Sequence, residues 1–227
     1  MLKKLDLSNH DGRVFVVGDI HGAFSKLEGE LEKLGFDWDK DVLLSVGDLV
    51  DRGPESERAL EFLSRPNFHA VQGNHEQITY QMGGTSLHTA NGGKWYTKLK
   101  FTTRDVPTQA QFNQAFKALP IALEVLLPSG KKIGLIHACY ADPDWNNVES
   151  YIHERQEEAL WDRYFLSDLK RNTLVRGEEP IVKNIDAIYH GHTPMKEPFS
   201  CGNRHYIDTG AVFDHAGYGK FTIVEVS

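Results

Sequence analysis

Short, unbroken apolar runs that stop abruptly in polar residues recur along the chain. Val14-Phe15-Val16-Val17 gives way to Gly18-Asp19, Val42-Leu43-Leu44-Ser45-Val46 to Gly47-Asp48, and Phe68-His69-Ala70-Val71 to Gly73-Asn74-His75. Further along, Ile133-Gly134-Leu135-Ile136 stops at His137, and Ala187-Ile188-Tyr189 stops at His190-Gly191-His192. Runs this short, rich in β-branched residues and without polar alternation, are expected of strands covered on both faces. Between the first three lie helical patterns. Phe24, Leu27, Leu31 and Leu34 recur at three- and four-residue steps before Gly35, and Ala59, Leu60, Phe62 and Leu63 fall between Pro54 and Pro66.

The first third therefore reads β-α-β-α-β, which implies parallel strands joined by right-handed crossovers. Asp19, Asp48 and Asn74 are spaced 29 and 26 residues apart, about one βα unit each, so all three are expected at equivalent strand ends. Residues 77–120 are polar and helix-prone, broken at Gly83-Gly84 and Asn91-Gly92-Gly93. Strands are expected over Ile121–Leu127 and Lys132–Ile136, joined by a turn at Pro128-Ser129-Gly130. Residues 141–180 read as a helical insertion over a site, and His205–Asp208 and Phe221–Val224 as closing strands. No repeat or linker divides the chain, so residues 1–227 are expected to form one domain.

Charge narrows the chemistry. A net charge of −7 argues against a nucleic-acid clamp, whose affinity comes from neutralising phosphates. The longest apolar runs are about five residues against the ~20 of a spanning helix, and no signal-peptide hydrophobic region follows Met1; a cytoplasmic protein without membrane contact is expected. Two cysteines exclude a disulfide scaffold and a thiolate metal site, whereas eleven histidines beside thirty-two carboxylates are a large stock of ligands for divalent metals.

Those ligands fall where the strands end. Asp19-Ile20-His21 follows the first strand, Gly47-Asp48-Leu49-Val50-Asp51-Arg52-Gly53 the second, and Gly73-Asn74-His75-Glu76 the third. Each piece alone is weak: an Asp-x-His is more often a turn, and an aspartate after a strand can simply cap the next helix. Three strand ends in succession, each followed by glycine-flanked ligands, favour a metal site. A central carboxylate such as Asp48 can bridge two cations, and two cations can clamp both ends of an in-line displacement at phosphorus.

These segments, with Leu135-Ile136-His137-Ala138, Tyr189-His190-Gly191-His192-Thr193-Pro194 and Tyr206-Ile207-Asp208-Thr209-Gly210-Ala211-Val212, resemble the metal-dependent phosphoprotein phosphatases, bacterial and phage branch. The resemblance covers nearly the whole chain. It implies an α/β calcineurin-like metallophosphoesterase fold: a central β-sandwich flanked by helices, with a βαβαβ metal-binding core. It implies two divalent ions, manganese as the family's usual metal in assays and iron or zinc as further options. Asp19, His21 and Asp48 would hold the first ion, and Asp48, Asn74, His137 and His192 the second. His75 would be the general acid with Asp51 polarising its imidazole, and Arg52 and Arg163 would bind the substrate phosphate. The implied reaction is hydrolysis of phosphoserine and phosphothreonine in proteins or peptides, by direct attack of a hydroxide held on the two metals. Phosphotyrosine and small phosphoesters are further candidate substrates.

Departures from the family pattern are Gln72, where many relatives carry arginine, and Cys139, read as a small buried thiol. Asp208 is expected to satisfy loop amides near the site, His190 to pack, and His10, His69, His88, His153, His205 and His215 to lie on the surface or in packing. Trp95, Trp145 and Trp161 are assigned to the core. Two other readings compete: a dinucleoside polyphosphate hydrolase of the diadenosine tetraphosphatase type, disfavoured by Asp51-Arg52 and Glu76, and an inactive phosphoprotein-binding module, disfavoured because every expected ligand is present.

Overall fold

The computed structural model describes residues 1–101, 107–177 and 179–227. Strands β1 (Leu2–Asp6), β2 (Val14–Val17), β3 (Val42–Ser45) and β4 (Phe68–Ala70) alternate from β2 onward with helices α1 (Phe24–Lys33) and α2 (Ala59–Leu63). Helices α3 (Asn74–Met82), α4 (Ser86–Ala90), α5 (Lys94–Lys98) and α6 (Gln109–Ala118) fill the polar middle. The hairpin β5 (Ala122–Leu126) and β6 (Lys132–Ile136) follows, then α7 (Val148–Glu154), α8 (Gln156–Trp161) and α9 (Tyr164–Arg176). Strands β7 (Ala187–His190), β8 (Phe199–Cys201), β9 (Arg204–Tyr206) and β10 (Ile223–Glu225) close the chain.

The strands form two sheets, ordered β1-β5-β6-β7-β9-β8 and β10-β2-β3-β4. Within the second, β2, β3 and β4 are parallel, as the β-α-β-α-β reading requires, and β10 is antiparallel at the edge. The sandwich follows from the pleat. Successive residues of an extended chain face opposite sides, so Val14, Val16, Val42 and Leu44 point one way and meet Leu123, Val125, Ile133 and Leu135 of the other sheet. Phe15, Val17 and Leu43 point the other way and pack beneath Phe24, Leu27, Phe62, Trp95 and Phe112 of the helices. On the far side, Ala122, Ile136 and Ile188 carry Val148, Tyr151, Ile152 and Leu160 of α7 and α8. Continuous apolar runs were needed because each strand is covered on both faces.

Strand β1 has no counterpart in the sequence reading. It pairs parallel to β5, in register from Leu2 with Ala122 to Asp6 with Leu126. Its lysines explain the omission: Lys3 and Lys4 are exposed, Lys4 lies 3.6 Å from Glu124, and charged residues of this kind are common on edge strands. No described helix is long and apolar enough to cross a membrane.

The helix-covered face is held by aromatic contacts. The fully buried Phe62 ring lies 4.5 Å from Phe24, 5.6 Å from Phe68 and 5.7 Å from Trp38, with the Arg65 guanidinium 4.3 Å above it. Phe62→Ala is expected to lower unfolding stability by about 3–5 kcal/mol, as large-to-small substitutions of buried aromatics do. Urea titration checks this, and a loss below about 1 kcal/mol would show that the pocket collapses freely.

Candidate metal centre

Both sheets deliver candidate site residues to one end of the sandwich. Asp19 and His21 follow β2, Asp48 and Asp51 follow β3, and Asn74 and His75 begin α3 directly after β4; the first sheet adds His137 after β6 and His192 after β7. All eight are buried. Two groups of donor atoms result, His21–Asp48–His75 and Asp48–His137–His192, and Asp48 is common to both. Its Oδ2 lies 3.6 Å from His21 Nε2 and 3.9 Å from His75 Nε2, while its Oδ1 lies 3.4 Å from His137 Nε2. Asn74 Oδ1 sits between His192 Nδ1 at 2.8 Å and His137 Nε2 at 3.0 Å. Asp19 lies outside these two groups but against them, its carboxylate accepting the His192 backbone N–H at 3.0 Å.

The backbone at these positions is costly. His21, Asp48, Asp51, Arg52 and His192 have φ of 47°, 51°, 69°, 69° and 69°, the left-handed region that side chains other than glycine seldom occupy. Glu76 helps to hold the turn after β3: fully buried, it accepts backbone N–H groups of Asp48 at 2.9 Å, Leu49 at 2.8 Å and Gly73 at 2.8 Å. Burial and the nearby Asp48 carboxylate push the Glu76 carboxyl up to about 7, against the pull of those donors. Gly73 and Gly191 leave the space the carboxylates need, since a Cβ would strike Asp48 Oδ1 at the first and Asp19 Oδ1 at the second.

The imidazoles are arranged to accept a cation. His21 Nδ1 bonds the Val50 carbonyl at 2.9 Å, His137 Nδ1 the Val46 carbonyl at 2.8 Å, and His192 Nε2 the Trp161 carbonyl at 3.0 Å. A carbonyl only accepts, so each bond fixes the proton on that nitrogen and turns the lone pair of the other into the site. Burial, then the neighbouring His75, lowers His21 to about 3; burial, then His137, lowers His192 to about 2, so both rings are neutral near pH 7. Burial raises the Asp48 carboxyl, but His137, His75 and His21 outweigh it and hold the group well below its usual range. Burial, with Asp208 and then Asp48 nearby, pushes Asp19 well above its own. Burial lowers His137, but Asp48 and the hydrogen bond to the Val46 carbonyl outweigh it and raise the group. Crowded buried carboxylates facing imidazole nitrogens form a donor set that a hard or borderline divalent cation would satisfy.

The two arginines expected to bind phosphate flank this centre and are exposed. The Arg52 guanidinium touches His21 Nε2 on one side. Arg163 follows Trp161, whose carbonyl holds His192, and lines a groove of about 520 Å³ with Trp161 and Tyr164. Trp161 is accordingly not core: it is 38% exposed, and its indole N–H donates to Gln77 Oε1 at 2.6 Å. Trp95 and Trp145 are buried as expected.

His190 packs, with Nδ1 on the Ile136 carbonyl at 2.8 Å and its ring stacked on Tyr206 at 4.8 Å. Asp208 accepts the Gly210 N–H at 2.8 Å. Gln72 is turned away, donating to the Phe116 carbonyl at 2.7 Å. Burial pushes the Cys139 thiol up to about 12, which removes it as a nucleophile. His88 differs from the other incidental histidines. It is fully buried and lies 3.0 Å from Asp51 Oδ1, where Trp95 Nε1 also donates at 2.7 Å. No spacing rule connects these residues across such sequence distances; the only hint was the Gly92-Gly93 pair between them.

A shared aspartate between two imidazole groups, set at the ends of strands from both sheets, is the pattern of a hydrolase with two metals. The chain belongs to the calcineurin-like phosphoesterase family, whose model matches residues 12–196. Serine/threonine-protein phosphatase 1 of Salmonella typhimurium is 34% identical over 220 residues, covering 94% of this chain and 91% of the relative. The asymmetrical bis(5'-nucleosyl)-tetraphosphatase PrpE of Geobacillus thermodenitrificans is 28% identical over 93% of this chain and 92% of its own. A solved protein serine/threonine phosphatase from Saccharomyces cerevisiae shares the fold, with a TM-score of 0.59 and 19% identity over 96% of this chain and 74% of that one.

Ligands and packing histidines should separate in a metal assay. After loading with manganese and dialysis, His137→Ala and His192→Ala are expected to retain about half the wild-type metal, and Asp48→Asn less than either. His190→Gln should retain full content. Elemental analysis reads the ratio, and full occupancy in Asp48→Asn would contradict the bridging role.

Proposed function

We propose that this phosphoesterase removes phosphate from phosphoserine and phosphothreonine in proteins, with phosphotyrosine and small phosphomonoesters as lesser substrates. The observation that carries the reading is a buried acid–imidazole pair beside the metal ligands. His75 Nδ1 lies 2.7 Å from Asp51 Oδ2, and His75 Nε2 is buried without a hydrogen-bond partner among the described residues. An alkoxide is a poor leaving group and needs a proton as its bond to phosphorus breaks. The leaving group from a phosphoanhydride is already a stable anion, so an acid built this carefully suits a monoester better than a dinucleoside polyphosphate.

Asp19, His21, Asp48, Asn74, His137 and His192 would hold two divalent ions, manganese being the expected metal. Bound there, the ions supply positive charge for a phosphoryl group and a nucleophile at neutral pH. The residues supply the rest. Arg52, beside His21, and Arg163, two residues beyond the Trp161 that holds His192, offer planar guanidinium forks to the phosphoryl oxygens. His75 gives its Nε2 proton to the departing serine or threonine oxygen as the P–O bond breaks. Asp51 accepts the proton on Nδ1 and so holds the ring with Nε2 turned toward the site. The names of the phosphatase relatives support a phosphoprotein substrate, and the PrpE relative names the competing one.

With manganese present, the enzyme is expected to release phosphate from a phosphoserine peptide faster than it cleaves diadenosine tetraphosphate. The reverse order of rates rejects the proposal. His75→Asn should lower turnover on the phosphopeptide by ~10²-fold or more with metal content intact, because it removes an acid and leaves the ligands. Wild-type turnover in that variant would remove the proton donor from the mechanism.

A further inference from the structure

We infer that His88 and Trp95 are positioning residues for the reaction: together they clamp the free oxygen of Asp51 and so aim the acid imidazole of His75. The inference rests on the proton-donor role proposed for His75. Its basis is a network outside the metal ligands. Asp51 is fully buried and its carboxylate takes three hydrogen bonds: Oδ2 faces His75 Nδ1 at 2.7 Å, while Oδ1 receives Trp95 Nε1 at 2.7 Å and His88 Nε2 at 3.0 Å. Its backbone N–H is held separately by Ser56 Oγ at 2.9 Å.

The direction of the His88 bond is determined. Its Nδ1 accepts the Gly84 backbone N–H at 3.2 Å, so the proton of the neutral ring sits on Nε2 and is donated to Asp51. Thr79 Oγ1, 3.3 Å from the same nitrogen, sends its own proton to the His75 carbonyl at 2.8 Å and can act there only as an acceptor. An indole N–H only donates. Two donors on Oδ1 therefore leave Oδ2 as the acceptor for His75, and they oppose rotation of a carboxylate borne on a left-handed residue.

Both donors come from α4 and the start of α5, a segment that contributes no ligand. The glycines between them explain how it docks. A Cβ at Gly92 would strike the Arg52 backbone, and one at Gly93 would strike the His88 ring. The Asn91-Gly92-Gly93 break is thus the surface by which this segment closes on Asp51-Arg52. A partial turn of the carboxylate about its Cβ–Cγ bond would carry Oδ2 out of line with His75 Nδ1, and misaligned proton donors lose most of their effect.

The test uses manganese-loaded enzyme and two aryl phosphates that differ in leaving group, p-nitrophenyl phosphate (good) and phenyl phosphate (poor). A lost proton donor slows the poor leaving group selectively, whereas a general structural defect slows both alike. Trp95→Phe and His88→Phe, which keep a ring but remove the N–H, are expected to lower kcat for phenyl phosphate about tenfold. For p-nitrophenyl phosphate kcat should fall less than about threefold, with KM and metal content unchanged. His88→Gln, which restores an N–H, should recover most of the loss. Should His88→Phe fail to fold, Trp95→Phe carries the same comparison. Equal losses on the two substrates, or none, overturn the clamp. His75→Asn measured alongside separates the two ideas. If it discriminates between the leaving groups and the clamp variants do not, only the clamp fails; if it does not discriminate, the proton-donor role and the clamp fall together.

Discussion

The placement of one carboxylate organises the site. Asp48 stands at the end of β3 in a left-handed conformation, buried, with three imidazoles around it. Burial alone would favour its neutral acid, and the surrounding rings reverse that preference. Two ligand groups can share one charge only because the central strand of a parallel triplet ends there. The turn after it is held by Glu76, which reaches back from the next strand's helix to three backbone amides. A buried acid used to hold backbone is an expensive device. It is sensible where the turn it holds carries the carboxylate common to both donor groups.

The six-stranded sheet has a complementary role. His137 and His192 arrive from strands that pack face to face with β2 and β3 through an apolar layer of valines, leucines and isoleucines. That layer fixes the distance between the two halves of the ligand set. The Val46 carbonyl accepting from His137 Nδ1 crosses the same boundary, so a residue of one sheet orients a ligand of the other. Packing and ligation are thus coupled here.

Away from the metal ligands, polar contacts serve to aim side chains. Trp161 connects the His192 ring to α3 through its carbonyl and indole and leads into Arg163, so the segment that bears this arginine is anchored to the centre. Asp51 is gripped in a similar manner from α4 and α5. Both arrangements join segments more than thirty residues apart, and both use side chains whose types do not announce such a role.

The order of elements was legible from the chain alone, since unbroken apolar runs ending in Gly-Asp, Gly-Asn-His and His-Gly-His state strand, burial and ligand at once. Periodicity is local, and so are these motifs. Strand β1 escaped because its lysines hide a pairing that only β5 supplies. Trp161 was misplaced because a large aromatic side chain looks like core until its neighbours are known. His88 could not be told from surface histidines, because its partner Asp51 lies 37 residues earlier. The sequence by itself determined which residues could bind metal and at which strand ends they fall. Tertiary structure alone decided which nitrogen each ring turns inward, which carboxylate is shared, and what holds the acid pair, because those depend on hydrogen bonds between segments that meet only when the two sheets close.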